Sequence, residues 1–136
     1  MKIQRKAIEA LLEWKNAKSR KPLILQGARQ VGKTWLLKEF GKSHFDNVAI
    51  FNFDENPELK QFFVSTKDVK RIINNLSLVY GKTITPQNTL IVFDEIQECT
   101  DALNTLKYFC EDAPEYYIAC AGSLLGVAMS RGASFP

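Results

Sequence analysis

A glycine-rich segment directly after a short apolar run constrains the fold more than any other feature of this chain. Residues 27–34 are Gly-Ala-Arg-Gln-Val-Gly-Lys-Thr, which fits the pattern G-x-x-x-x-G-K-[ST] at every fixed position. The apolar run before it, Leu23, Ile24 and Leu25, is typical of a buried parallel strand. Residues 34–40 follow with a helical pattern. A strand, a glycine loop and a helix in this order predict a loop that holds phosphate groups.

The chemistry expected of this loop follows from its residue types. Glycine allows the positive φ angles and the close approach by which backbone N–H groups converge on phosphate, and the following helix adds the dipole of its amino end. Lys33 is expected to reach the β and γ phosphates, and the Thr34 hydroxyl to ligate Mg²⁺. The residues predicted to bind the nucleotide are Gly27, Ala28, Arg29, Gln30, Val31, Gly32, Lys33 and Thr34.

An acidic pair ends a second apolar run further along the chain. Residues 90–93 are uniformly apolar, and Asp94 and Glu95 follow directly. We expect the strand to deliver Asp94 to the Mg²⁺ shell, and Glu95 to orient and deprotonate the water that attacks the γ phosphate in line. Taken alone, the run could be a core strand that ends in a solvated acidic turn. The glycine loop upstream favours the catalytic interpretation.

Two residues near the carboxyl end are further candidates, each with an alternative left open. Ser123 follows a predicted strand and could contact the γ phosphate or the attacking water, or it could simply cap the next helix. Arg131 could act as an arginine finger on the nucleotide of a neighbouring subunit, or it could be an ordinary surface arginine. The predicted catalytic group is therefore Lys33, Glu95, Ser123 and Arg131, with Thr34 and Asp94 as metal ligands.

Motifs that would indicate another nucleotide or another reaction are missing from the sequence. Small GTPases typically carry D-x-x-G after the acidic strand and N-K-x-D for guanine, and neither occurs here. The L-S-G-G-Q signature of transporter ATPases is also missing, and no pair of lid arginines suggests a nucleoside kinase. We therefore expect ATP and Mg²⁺ as ligands.

The rest of the chain alternates between helical and strand patterns. Gly41 is expected to end the helix that follows the glycine loop. The alternation, without internal repeats, predicts one α/β domain in three layers, with a central, mainly parallel sheet and flanking helices. Strands are predicted over residues 23–25, 48–53, 89–93 and 116–121, and helices over residues 3–17, 34–40, 57–64, 67–78, 100–109 and 124–129.

Composition excludes several classes of protein. Hydrophobic residues make up 46% and charged residues 24%, which argues against a fibrous or disordered chain. No apolar run approaches the roughly 18 residues of a membrane span, so a cytoplasmic protein without a membrane partner is expected.

Cys99, Cys110 and Cys120 form no CxxC motif, which predicts free thiols. His44 is the only histidine and no G-x-S-x-G motif accompanies it, so a serine hydrolase is not expected.

The net charge of +3 conceals an uneven distribution. Residues 1–42 carry eleven Lys and Arg against three Asp and Glu, whereas residues 43–136 carry seven against twelve. A basic amino-terminal face could contact the phosphates of a nucleotide or of nucleic acid, but a solvated helix face explains most such runs. Trp14 and Trp35 are expected to be partly buried packing residues, with base stacking as the alternative.

Four segments together resemble one known family. They are G-A-R-Q-V-G-K-T at 27–34, F-D-E-I-Q at 93–97, A-G-S-L-L-G at 121–126 and R-G-A-S-F-P at 131–136. The chain resembles the amino-terminal domain of bacterial and archaeal AAA-type P-loop ATPases that carry a C-terminal nuclease-like domain of unknown function. Trp35 stands where many relatives have threonine, and Leu124 where many have a second serine.

The resemblance implies a doubly wound P-loop NTPase fold, with Walker A at 27–34, Walker B at Asp94 and Glu95, and a sensor at Ser123. It also implies that residues 1–136 are the amino-terminal part of an ATPase domain whose fifth strand, lid and C-terminal domain lie further on. Weak or no turnover is then expected of this piece alone. Hydrolysis would drive a conformational step in a larger protein that could act on nucleic acid. A homo-oligomer is a further partner that the sequence leaves open.

Two other function classes stay open at this point. The chain could be a nucleotide-gated interaction module in which ATP binding switches the contacts of a partner and turnover is slow. It could also be a phosphoryl transferase with a small acceptor, although no acceptor pocket is recognisable in the sequence.

Overall fold

Helices and strands alternate along the chain in the computed structural model, which describes residues 2–26 and 32–123. Short 3-10 turns at Pro57–Lys60 and Ile96–Glu98 complete the described elements. The strands are β1 (Leu23–Gln26), β2 (Asn47–Asn52), β3 (Thr89–Asp94) and β4 (Tyr117–Gly122). The helices are α1 (Lys2–Asn16), α2 (Lys33–His44), α3 (Gln61–Val64), α4 (Val69–Tyr80) and α5 (Thr100–Asp112).

The four strands form one parallel sheet in the order β1-β4-β3-β2. Strand β4 therefore separates β1, which leads into the glycine loop, from β3, which ends in Asp94. Gln26 pairs in register with Gly122, and Asp94 pairs with both Ala121 and Asn52. The carboxyl ends of all four strands meet at one edge, where parallel α/β sheets commonly bind ligands.

Helices cover both faces of this sheet. Successive side chains of a strand point to opposite faces, and β3 shows this clearly. Leu90 and Val92 pack with α1 and α2 on one face, whereas Ile91 and Phe93 pack with α3, α4 and α5 on the other. All six residues of β3 are buried, as expected of a central strand covered twice. The three-layer α/β arrangement of a P-loop NTPase fold, predicted from the sequence, is confirmed.

An aromatic cluster fixes the end of β3. The Phe93 ring lies 5.6 Å from Phe63, 5.7 Å from Phe53 and 6.2 Å from Phe109, measured between ring centroids. The Phe63 ring meets Phe93 edge to face, an arrangement that aromatic pairs favour. Because Phe53, which directly follows β2, packs on Phe93 together with α3 and α5, the residue after Phe93 is held in a defined position.

Several element boundaries differ from those predicted. A 3-10 turn followed by α3 replaces the single helix expected over 57–64. Helix α4 begins after Asp68, whose carboxylate accepts hydrogen bonds from the backbone N–H groups of Lys70 and Arg71, as a capping residue does. Helix α5 begins after Cys99 without a side-chain cap. The helix expected over 124–129 lies outside the described residues.

The three cysteines are free thiols, as predicted. Cys99 and Cys120 are buried, and burial raises the pKa of both thiols, because a thiolate is poorly solvated there. Trp14 packs edge to face on Tyr117, whereas Trp35 exposes 51% of its surface. In the part of the chain that the structure describes, no helix is long and apolar enough to cross a membrane.

Gly41 does not end helix α2, which continues to His44, so that prediction was wrong. The glycine is instead buried where α2 crosses the sheet. A Cβ atom at this position would lie 2.8 Å from two side-chain carbons of Val48 and 3.3 Å from Leu90. Such distances leave no room for a methyl group, so the residue allows close packing of the helix and does not mark a turn.

Replacing Gly41 with alanine tests this interpretation. In an exposed helix the change would stabilise the protein by up to about 1 kcal/mol, but here the added methyl group overpacks the core. We expect Gly41→Ala to lower the free energy of unfolding by about 1–3 kcal/mol, measured by urea denaturation. Ser43→Ala, at an exposed position of the same helix, is the control and should change little. A Gly41→Ala protein as stable as the wild type would contradict the close packing.

Candidate functional site

The Asp94 carboxylate is the centre of the site. It ends β3 with only 8% of its surface exposed, and each of its oxygens accepts a hydrogen bond. Oδ1 accepts from the Thr34 hydroxyl at 2.8 Å and from the Glu95 backbone N–H at 2.9 Å. Oδ2 accepts from the Asn52 side-chain amide at 3.2 Å. Carboxylate oxygens accept hydrogen bonds from such donors, and together the three contacts hold the side chain in one orientation.

Helix α2 brings Thr34 to this carboxylate. Gly32 precedes the helix in the left-handed conformation, with φ 76°, which glycine adopts without strain. Lys33 and Thr34 then occupy the first turn, where helix N–H groups lack intrahelical acceptors, and no acidic side chain lies in that turn. The predicted loop residues Gly27, Ala28, Arg29, Gln30 and Val31 lie outside the described residues.

Asn52 belongs to the candidate site, and no role was predicted for it from the sequence. It is the last residue of β2 and pairs in register with Asp94. Its side-chain oxygen accepts hydrogen bonds from the backbone N–H groups of Asp54 and Glu55, both at 2.9 Å. Its amide therefore connects the turn after β2 to the end of β3. A polar residue near the end of a predicted strand was the available signal, but the predicted strand ran to Phe53 and hid it.

Glu95 turns the chain sharply at the end of β3. It has φ 52° and ψ 48° and is the one non-glycine residue with positive φ among those that the structure describes. Such a conformation costs roughly 1–2 kcal/mol and often marks a functional site. The Glu95 carboxylate accepts a hydrogen bond of 2.7 Å from the Gln97 side-chain amide. Gln97 is a second site residue that the sequence did not assign.

The remaining predicted residues take different positions. Ser123 directly follows β4 and so lies at the same edge of the sheet, between the end of β1 and the end of β3. It is partly buried. Lys33 is partly buried at the start of α2. Arg131 lies outside the described residues. The structure thus brings Thr34, Asp94 and Glu95 together, and their catalytic and metal-binding roles stay predictions.

The arrangement combines a surface for anions with oxygen ligands for a cation. The amino end of α2 favours negative charge. Beside it lie one hydroxyl and one carboxylate, which are the oxygen ligands that Mg²⁺ prefers. The described residues contain no group of three or more His, Cys, Asp or Glu side chains that could hold a metal ion. A cation here would therefore need further oxygens from the anion or from water.

Comparison with known proteins gave one match. The model of a family described as the AAA domain matches residues 19–136. A search of curated proteins found no match, and neither did a search of solved structures.

The hydrogen bond from Asn52 to Asp94 can be tested by replacing the amide nitrogen of Asn52 with oxygen. Asn52→Asp keeps the acceptor for the turn but sets a second carboxylate against Asp94, where like charges repel. We expect the free energy of unfolding to fall by about 2 kcal/mol, measured by urea denaturation at neutral pH. Asn56→Asp adds the same charge at an exposed position nearby and is the control. Equal stability of the two variants would show that the hydrogen bond from the Asn52 amide does not stabilise the protein.

Proposed function

Because this chain belongs to the AAA domain family, we propose that it binds ATP with Mg²⁺ at the carboxyl edge of its sheet and hydrolyses the β–γ phosphoanhydride. Membership of the family supports nucleotide binding or hydrolysis in general. The observation that carries the specific proposal is the 2.8 Å hydrogen bond between Thr34 and Asp94. These residues are 60 positions apart in sequence, and the fold joins them at the amino end of a helix.

The anionic part of the ligand is assigned to the start of α2. N–H groups of the first turn and the ammonium group of Lys33 supply positive potential there. We assign residues 27–31 to the same phosphates, from their match to the glycine-loop pattern. Lys33 would neutralise charge on the β and γ phosphates, which grows as the γ phosphate leaves.

The cation is assigned to Thr34 and Asp94. Adjacent oxygen ligands of an octahedral Mg²⁺ lie about 2.9 Å apart, close to the 2.8 Å between the Thr34 hydroxyl and Asp94 Oδ1. Mg²⁺ is commonly held by one or two protein groups together with phosphate oxygens and water, so the pair fits. When bound, the ion would neutralise charge on the phosphates. The hydrogen bond from Asn52 holds the Asp94 carboxylate in orientation for this role.

Hydrolysis is assigned to Glu95. Its carboxylate would take a proton from a water molecule as the water oxygen bonds to the γ phosphorus. The bond from that phosphorus to the bridging oxygen breaks, and ADP and phosphate leave. Ser123, at the end of β4, would contact the γ phosphate or this water. Arg131 is proposed to act on the nucleotide of a neighbouring copy.

Calorimetric titration with ATP and with GTP in Mg²⁺ tests the binding half of the proposal. We expect the wild type to bind ATP in preference to GTP, and Lys33→Ala to weaken binding by at least about tenfold, since one charge-assisted contact contributes roughly 1.5–3 kcal/mol. Lys38→Ala removes an exposed lysine of the same helix and should bind as the wild type does. Binding that Lys33→Ala leaves unchanged, or a folded wild type that does not bind ATP, would refute the proposed site.

Single-turnover hydrolysis with protein in excess tests the catalytic half. Glu95→Gln should bind ATP yet lose at least about 100-fold in rate, because general-base catalysis contributes roughly that much. Glu98→Gln removes an exposed carboxylate three residues further on and serves as the control. Equal rates in the two variants would exclude Glu95 as the base. Because weak or no turnover is expected of residues 1–136 alone, the wild type is also assayed as the whole natural protein. If that protein binds ATP without cleaving it, a nucleotide-gated module is indicated instead.

A further inference from the structure

We propose that Gln97 is a positioning residue for Glu95, holding its carboxylate in the orientation that hydrolysis requires. This inference rests on the proposed function, in which Glu95 takes a proton from the attacking water. The observation behind it is the hydrogen bond of 2.7 Å from Gln97 Nε2 to Glu95 Oε1. That length is at the short end of the range for N–H···O hydrogen bonds.

The orientation of the Gln97 amide follows from its neighbour. An amide nitrogen donates, whereas a carboxylate accepts, so the nitrogen must face Glu95. The opposite orientation would set two acceptor oxygens against each other. The amide therefore has one arrangement in which it restrains the carboxylate.

The backbone between the two residues is shaped for this contact. Glu95 has positive φ, and the Ile96–Glu98 turn follows at once. The Glu98 N–H donates to the Glu95 carbonyl at 3.0 Å, and the Cys99 N–H to the Ile96 carbonyl at 2.9 Å. This tight turn brings the side chains at positions 95 and 97 together.

The amide oxygen of Gln97 lowers the stability of the fold. Gln97 Oε1 is buried and has no hydrogen-bond partner among the residues that the structure describes. A buried acceptor without a partner opposes folding. An apolar side chain of similar length would avoid that cost, so stability alone does not explain a glutamine here. The hydrogen bond from its amide nitrogen to Glu95 explains the glutamine.

The end of β4 leaves the space that the amide fills. A Cβ atom on Gly122 would overlap Gln97 Oε1 and would lie 3.2 Å from the Ile96 backbone nitrogen. Gly122 is not among the glycines with positive φ, so its backbone would accept alanine. A side chain at position 122 would have to displace the Gln97 amide and would crowd the Ile96 nitrogen, so the glycine leaves the space in which the amide lies beside Glu95.

Restraint of Glu95 would act on the rate and not on the binding of ATP. A carboxylate offers about four acceptor positions, so one hydrogen bond from Gln97 leaves capacity for the proton of a water molecule. Without that bond, the carboxylate would sample orientations in which it does not face the water. Positioning of this kind acts through Glu95, and Gln97 itself need not touch the nucleotide.

Gln97→Met tests the inference, because methionine keeps the length of the side chain and removes the amide. We expect the single-turnover rate of ATP hydrolysis to fall about tenfold or more, with the Kd for Mg-ATP changed less than about twofold. Urea denaturation should show stability equal to or above that of the wild type, since the buried acceptor is gone. Gln87→Met, at an exposed position, is the control for the substitution itself.

A double-mutant cycle separates positioning from a general structural effect. In a Glu95→Gln background, Gln97→Met should lower the residual rate no further, because the group that it positions is already lost. Gly122→Ala should lower the rate as Gln97→Met does, by displacing the amide. The stability that Gly122→Ala loses should return when Gln97→Ala is added to it.

The outcomes distinguish this inference from the function on which it rests. A wild type that cleaves ATP, together with a Gln97→Met variant that cleaves it as fast or faster, overturns the positioning role alone. Equal losses from Gln97→Met with and without Glu95→Gln overturn it too, because the effect would not pass through Glu95. A whole natural protein that binds ATP and never cleaves it overturns the hydrolytic function, and the inference with it.

Discussion

The Asp94 carboxylate sits at the end of a strand whose six residues are all buried, and such a charge is stable only if donors surround it. Three donors do so, and they come from three separate parts of the chain: the first turn of α2, the end of β2 and the backbone after Asp94 itself. Each donor in turn fixes the element that carries it. The position of the helix, the turn after β2 and the sharp bend at Glu95 all depend on this one acceptor.

The apolar core next to the site restricts the movement of Asp94. Phe93 immediately precedes Asp94 and contacts aromatic rings from α3, from α5 and from the turn after β2. Because a close-packed interior resists small displacements, the end of β3 has little freedom to move. The opposite face is equally constrained, since buried Gly41 lets α2 approach the sheet through Val48 and Leu90. The polar site is thus rigid because of apolar packing one residue away from it.

The sequence was sufficient to predict the fold and to single out the main acidic and hydroxyl groups of the candidate site. Apolar runs marked the strands because both faces of the sheet are covered, and the glycine pattern with its flanking elements located Thr34. Gly41 was misread because a glycine that ends a helix and a glycine that permits close packing look alike without the neighbouring strand. Asn52 and Gln97 were missed because their roles depend on strand order and on the conformation of Glu95. Neither the strand order nor the conformation of Glu95 can be read from a local sequence pattern.

The order of the strands has a consequence for the size of the site. Because β4 lies between β1 and β3, Gln26 at the end of β1 and Asp94 at the end of β3 are separated by two strand spacings, about 10 Å in all. Backbone hydrogen bonds set this distance, so side-chain changes within β4 leave the width unaltered. The small residues that end β4, Ala121 and Gly122, instead decide how closely a side chain such as Gln97 can approach this strand. The spacing of the site along the sheet is therefore set by the peptide backbone, whereas the space beside β4 is set by the side chains that its last residues lack.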